Sequence, residues 1–396
     1  MSNILTYQTP YYQTPYQAIN INNIYGKYWA FINTGIYGLR EPKIRLGTFS
    51  SPYQEYCKDY SKFIPFPTLV TENYSHDELC NQRAIELFNI SKFTGKRIAL
   101  MWSGGIDSTT VLTSFIKNLS KDDLENISII LNLTSILENK QYYKKYIQGK
   151  FHIIPSYDFE ISNNFFEQYI LIHGDPGDGV YGPSTTMYWN LIESGEFSNS
   201  WQDNQQLMIR MLDEFIKRGK GKCLLIPEGF GQWYINKVSD NIREVNPAGI
   251  DSISDWWWWH YLNMKWEDVL WHHFNEHKKN LRDEIATKHI EDYLTNTFYN
   301  TSKFQSWSYS NLKNHISTDI RKHKLPAKKY IFELDHNQEY FENKRKTPSL
   351  SIHIAASYTR SIRHSLSYVD KNWAWHTKFD PGVEEFMLDR LENYTG

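Results

Sequence analysis

Between Lys96 and Gly182 the chain alternates short apolar runs with stretches whose apolar residues recur at helical spacing. The segments "KRIALMW", "ISIILNL", "FHIIP" and "YILIHG" are the apolar runs. Their length and β-branched content predict strands, and the unbroken "ISIILNL" predicts one buried on both faces. Between them, "STTVLTSFIKNL" sets Val111, Leu112, Phe115, Ile116 and Leu119 on one helical face. "ILENKQYYKKYI" and "FEISNNFFEQ" also read as helices. Ahead of the first strand, "SHDELCNQRAIELFNI" predicts a helix capped by Ser75 with acidic residues in its first turn. Strand–helix alternation predicts an α/β fold: a parallel sheet with helices on both faces. Such sheets bind ligands at the carboxyl ends of their strands.

On either side the rhythm changes. "TYQTPYYQTPYQ" repeats Tyr-Gln-Thr-Pro-Tyr, and Pro10 and Pro15 favour an extended arm. "KYWAFINTGIYGL" predicts a hairpin around Asn33-Thr34-Gly35. Further on, "NQQLMIRMLDEFIKRG", "DWWWWHYLNMKWEDVLWHHFNEH" and "RDEIATKHIEDYLTNTFY" read as helices, and "FQSWSYS" as a loop that could meet a substrate. The expected organisation is a small N-terminal region over 1–85, an α/β domain over 86–190 and a mostly helical region over 191–396.

Composition narrows the function classes. A net charge of −2 over 396 residues does not suggest bulk electrostatic binding of nucleic acid. The start "MSNILTYQTP" lacks a basic segment followed by an apolar core, and no apolar run reaches membrane-spanning length. The three cysteines, Cys57, Cys80 and Cys223, form no CxxC pair and no zinc set. These features predict a soluble, reduced, cytoplasmic protein. Aromatic residues make up 16% of the chain, which predicts ring-rich cores and pockets.

The chemistry gathers where the first strand ends. In "IALMWSGGIDSTTVL", Gly104 and Gly105 let the backbone approach a ligand closely. Ser103, Ser108 and Thr109 supply hydroxyls, and the following helix aims its N-terminal amides at the same place. This is an anion cradle suited to phosphate, although GxxxxGK[ST] is absent. Asp107 inside an anion site is repulsive unless a cation intervenes, so the pattern implies Mg²⁺ with a nucleoside triphosphate. The segment "ILIHGDPGDGVYG" follows another apolar run and brings Asp175 and Asp178 to the same crevice.

SGGIDS resembles the PP-loop of the ATP pyrophosphatases, and "HGDPGDGVYG" is similar to the second loop of their asparagine synthetase-like branch, usually SGEGADExFG. The resemblance implies that Ser103, Gly104, Gly105, Asp107 and Ser108 hold the pyrophosphate of ATP, with Asp107 and Asp178 on Mg²⁺. It places Asp175 near the reacting acyl group, and backbone at Leu100, Leu131 and Gly174 against adenosine. The family's pyrophosphate-neutralising lysine matches Lys344 or Lys346 in "YFENKRKTPSL", with Lys328 as the fallback. Asp175 is one methylene shorter than the family's glutamate, Gly179 stands where an acid is usual, and His173 replaces a small residue. The glutaminase domain of the glutamine-dependent members has no counterpart in the first 85 residues.

The implied activity is ATP-dependent amide formation. A carboxylate is adenylated with release of pyrophosphate, and the acyl group passes to ammonia or an amine. Ammonia would be free or come from a partner protein. A lactam-forming reaction, with the amine on the substrate itself, is slightly preferred. Two rival expectations are a PP-loop enzyme modifying nucleobases or nucleic acid, and a non-catalytic nucleotide-binding subunit. The run Trp256 to Trp259 predicts a helix buried between domains or at a homo-oligomer contact, or else a ring-lined pocket. His273 and His277 stand four apart with no third ligand, which favours a solvated face over a metal site. The lysines of "IRKHKLPAKKYIF" read as a solvated face, with a nucleic-acid contact as the sharper alternative.

Overall fold

The structure, a computed structural model, describes residues 74–156, 163–181, 195–218, 229–245, 249–261, 296–311 and 322–344. The predicted N-terminal arm and hairpin, the His273–His277 pair and Lys346 lie outside them. The chain divides into two compact units that are not consecutive stretches. One comprises Tyr74–Asp175, His277–Tyr299 and Lys324–Gly396, and the other Met1–Asn73, Pro176–Glu276 and Asn300–His323. The first is called the sheet unit below, the other the second unit.

The sheet unit opens with α1 (His76–Thr94), whose start is the reciprocal cap expected of Ser75. Ser75 Oγ accepts from Glu78 N at 3.2 Å, and the Glu78 carboxylate accepts from Ser75 N at 2.8 Å. Gly95 ends the helix in the left-handed region, φ 69°. Then come β1 (Arg97–Met101), α2 (Ile106–Asn118), α3 (Lys121–Leu124) and β2 (Ile127–Leu131), the last buried at every position. The segment read as one helix after β2 is broken. It forms α4 (Leu133–Glu138), α5 (Lys140–Tyr142) and a π-helical turn, Tyr143–Ile147. The break is Asn139, at φ −147°, which ends one helix and caps the next with its side chain. β3 (His152–Pro155), α6 (Asn163–Gln168) and β4 (Tyr169–His173) follow.

The four strands are parallel, in the order β3-β2-β1-β4. From β1 the chain adds strands to one side, then returns to place β4 on the other. The order therefore reverses between β1 and β4, and their carboxyl ends are the topological switch point. Register sets Met101 beside His173.

α2 departs from its predicted stripe. Val111, Leu112 and Phe115 are buried, but Ile116 and Leu119 are only partly so. Thr109, Thr110, Thr113 and Ser114 are buried instead. Burial is possible because the hydroxyls find partners. Thr110 Oγ1 and Ser114 Oγ donate to the carbonyls of Ile106 and Thr110, each at 2.8 Å, and Thr113 Oγ1 meets Tyr142 OH at 2.8 Å.

In the second unit the described elements are α7 (Gly177–Val180), α8 (Gln205–Arg218), α9 (Phe230–Val245), α10 (Ile253–Tyr261) and α11 (Ser302–Ser310). "FQSWSYS" is thus a helix and not a loop: Thr301 Oγ1 caps it by accepting from Phe304 N at 3.2 Å, and Phe304, Trp307 and Ser308 are buried. All four tryptophans of α10 are at most 1% exposed within a single chain. Four consecutive positions cover the circumference of a helix, so the rings are covered on all sides of this turn. Trp256 Nε1 donates to Ser239 Oγ at 3.1 Å, and Trp258 Nε1 to Ser308 Oγ at 3.0 Å. Ser308 Oγ in turn reaches Gly179 O at 3.4 Å.

The chain re-enters the sheet unit at Lys324 and forms α12 (Leu325–Asp335) and α13 (Gln338–Asn343). α12 packs on α1 and α2: Tyr330 OH donates to Asn81 Oδ1 at 2.5 Å, and Lys117 pairs with Glu333 at 2.7 Å. Among the described residues no helix is long and apolar enough to cross a membrane.

Candidate functional site

The carboxyl end of β1 is anchored before it turns. Trp102 is buried; its backbone N donates to Ile130 O at 2.9 Å and its Nε1 to Thr109 Oγ1 at 3.1 Å. Gly104 then adopts φ +76°, and a Cβ there would stand 2.2 Å from Ser135 O and 2.8 Å from Glu138 Cβ. Only glycine fits, because the turn lies directly against α4. Gly105 is the N-cap of α2 and, having no side chain, provides no side-chain cap. Ser108 Oγ accepts from Ser103 N at 3.1 Å and lies 3.0 Å from Ser103 Oγ, so this hydroxyl pair braces the turn. Ser103 is exposed at its rim while Ser108 is buried.

β4 delivers its exit to the same point. A Cβ on Gly174 would come within 2.7 Å of Ser108 N and 2.9 Å of Asp107 C. Backbone thus packs on backbone where β4 ends and α2 begins. Leu100, Leu131 and Gly174, matched to adenosine by resemblance, are all buried near strand carboxyl ends. The Leu131 carbonyl accepts from Ser156 N at 2.8 Å. His173 is buried: its Nδ1 accepts from Asp175 N at 3.2 Å, and its Nε2 lies 3.4 Å from Thr297 Oγ1. Asp175 ends the sheet unit half-exposed, with Oδ2 3.7 Å from His173 Nδ1. Asp178 is three residues further along, on α7 of the second unit.

Two lysines flank the turn. Lys324 Nζ meets Asp107 Oδ1 at 2.6 Å and Oδ2 at 2.5 Å, and the lysine side chain is 4% exposed. Lys324 is the N-cap of α12 and holds the left-handed φ of 55°, uncommon for a residue with a Cβ. Tyr299 OH donates to Asp107 O at 3.3 Å. On the other side Lys344, the C-cap of α13, pairs with the Glu138 carboxylate and donates to Glu138 O at 3.1 Å. Glu138 is the same residue that closes over Gly104. Tyr340 is buried near Glu138 and Asp107; burial, reinforced by these carboxylates, pushes its phenol up, so it stays protonated.

No match is found for this chain among family models, curated proteins or solved structures.

The sheet unit therefore places Ser103, Gly104, Gly105, Asp107, Ser108, Gly174, Asp175 and Lys344 near the carboxyl ends of β1 and β4. Two participants are added, Lys324 and Glu138. Pro326 does mark the start of α12 in the sequence. Nothing in "KHKLPAKK" signals that Lys324 turns inward, since solvated lysines are the rule for such a run. Lys328, one turn on, is fully buried as well.

A polyphosphate at this turn would meet hydroxyls and the N-terminus of α2, with two ion-paired lysines nearby. Among the described residues no group of three or more His, Cys, Asp or Glu side chains is arranged for a metal. A Mg²⁺ ion at Asp107 would thus take most of its ligands from phosphate oxygens and water, as this ion commonly does.

Proposed function

We propose that this protein is an ATP-dependent ligase of the adenylating, amide-forming kind. The observation that supports it most is the convergence, at the switch point of a parallel sheet, of a turn with no room for a Cβ at Gly104, the N-terminus of α2 and the Lys324 and Lys344 ammonium groups. In this reading a substrate carboxylate oxygen attacks the α-phosphorus of ATP. The bond to the bridging oxygen breaks, and pyrophosphate leaves with that electron pair. An amine or ammonia then displaces AMP from the acyl carbon.

The chain's own residues do this by positioning and charge. Gly104 and Gly105 admit the phosphates to the α2 amides, and Ser103 donates from the rim. Lys344, beside the turn, receives the negative charge that develops on the leaving group. Asp175, half-exposed and next to His173, orients the attacking nitrogen or accepts its proton. Asp107 would hold Mg²⁺, which would supply charge neutralisation on the phosphates.

The test is pyrophosphate release by purified protein with a pool of carboxylic acids and amines, followed by mass spectrometry of the product. Asp107→Asn, which keeps an oxygen acceptor for the buried Lys324 ammonium, should abolish release and leave the circular dichroism spectrum unchanged. Lys344→Ala should lower kcat about 100-fold with little change in nucleotide affinity. Turnover by Asp107→Asn close to wild type would sink the assignment.

A further inference from the structure

The ion pair on Asp107 has a consequence for the order in which ligands enter. Lys324 Nζ occupies both carboxylate oxygens, at 2.6 and 2.5 Å. A metal on either oxygen would lie at contact distance from the ammonium, and two cations that close repel strongly where water is scarce. Lys324 cannot simply swing aside. Its side chain is 4% exposed, and its backbone is fixed at φ 55° between the chain's entry into the sheet unit and the first turn of α12. Moving a buried ammonium off its carboxylate is costly unless an anion takes the carboxylate's place. A phosphate at the glycine turn beside Asp107 would be such an anion.

We infer that Lys324 is a lock on Asp107 that a nucleoside polyphosphate opens: phosphate takes the ammonium, and only then is the carboxylate available to Mg²⁺. Nucleotide binds first and metal second, and divalent metal alone does not displace the lysine. This rests on the nucleotide-site reading above. It adds a role for Lys324 before any chemistry, as a positioning residue acting through Asp107.

The test uses the full chain, with Mn²⁺ alone as the metal probe and α,β-methylene-ATP as the nucleotide. Bound Mn²⁺ is counted by electron paramagnetic resonance without nucleotide. Wild type should show no site that Asp107→Asn removes. Lys324→Met should gain one such site, at least about 10-fold tighter than anything wild type offers there, and Lys324→Met with Asp107→Asn should lose it. Calorimetry in EDTA should show wild type binding the nucleotide without metal, and Lys324→Met weakening that binding by about 10-fold or more. A further measurement needs no variant: in amine acylation read by mass spectrometry, Mn²⁺ alone should leave Lys324 labelling of wild type unchanged. A wild-type Mn²⁺ site lost in Asp107→Asn, or labelling of Lys324 provoked by Mn²⁺, overturns the lock but leaves nucleotide binding standing. Failure of wild type to bind the nucleotide with or without metal overturns both readings.

Discussion

Gly104 and Gly95 share a left-handed backbone, at φ +76° and +69°, but not the same surroundings. Nothing lies within 4 Å of where a Cβ would stand on Gly95, whereas on Gly104 it would meet Ser135 O at 2.2 Å. Gly95→Ala should therefore cost only the backbone term, about 1–2 kcal/mol. Gly104→Ala should cost that plus about 1–3 kcal/mol for the clash, and should also abolish nucleotide binding. Chemical denaturation and calorimetry separate the two effects. The sequence marks Gly104 clearly, because an apolar run ending in SGG before a helical pattern needs a backbone of this kind. It is silent on Lys324, whose partner lies 217 residues away. Gln305 makes the same point from the other side. Its amide oxygen and nitrogen are both fully buried and, among the described residues, meet no hydrogen-bond partner. Replacing it by methionine keeps the volume and removes the unpaired groups. Gln305→Met should raise stability by about 1–3 kcal/mol in urea. A variant that is instead no more stable would show that the amide is satisfied when the protein works.

Elements are better written into the sequence than the contacts between them. The cap of α1, the unbroken burial of β2 and the strand–helix alternation all follow from local pattern, and each is found. The α2 face is only half legible, since hydrophobic spacing cannot show that four hydroxyl residues will find hydrogen-bond partners and be buried. Nor does it show that Asn139 divides a helix, or that α9 forms over a segment of mixed character. The packing of α1 carries its own pH signature. His76 is buried on α1 against Cys80 and edge-on to the Tyr330 ring of α12, and burial holds its pKa below the ordinary 6.5. Below that ordinary value the unfolded chain takes up a proton that folded His76 refuses. Stability should thus fall as pH drops from 6.5 toward the lowered folded pKa, and level off beneath it. His76→Gln should flatten that slope, as read from denaturation midpoints between about pH 5 and 7.5.

At the scale of the whole molecule, the chain passes between its two units at Asn73, Asp175, Glu276, Tyr299 and His323. Such interleaving is invisible to a reading that moves along the sequence, because it depends on which distant segments return to the sheet. Cys80, the one cysteine among the described residues, is fully buried with its thiol pushed well up by burial, which disfavours the thiolate a glutaminase needs. Purified protein given glutamine, ATP and candidate acids should form no glutamate in step with product. Stoichiometric glutamate would require a nucleophile elsewhere. The helix of four tryptophans gives the second unit an optical identity. Trp256 and Trp257 sit edge to face with ring centroids 4.6 Å apart, and all four indoles are shielded from water. Transition dipoles that close couple, so the native circular dichroism spectrum should carry an exciton couplet in the indole region. Acrylamide should quench these indoles poorly. Losing the couplet during denaturation reports the second unit alone, while loss of nucleotide binding reports the sheet unit. The two halves of this chain can thus be watched unfolding separately in a single sample, without any label.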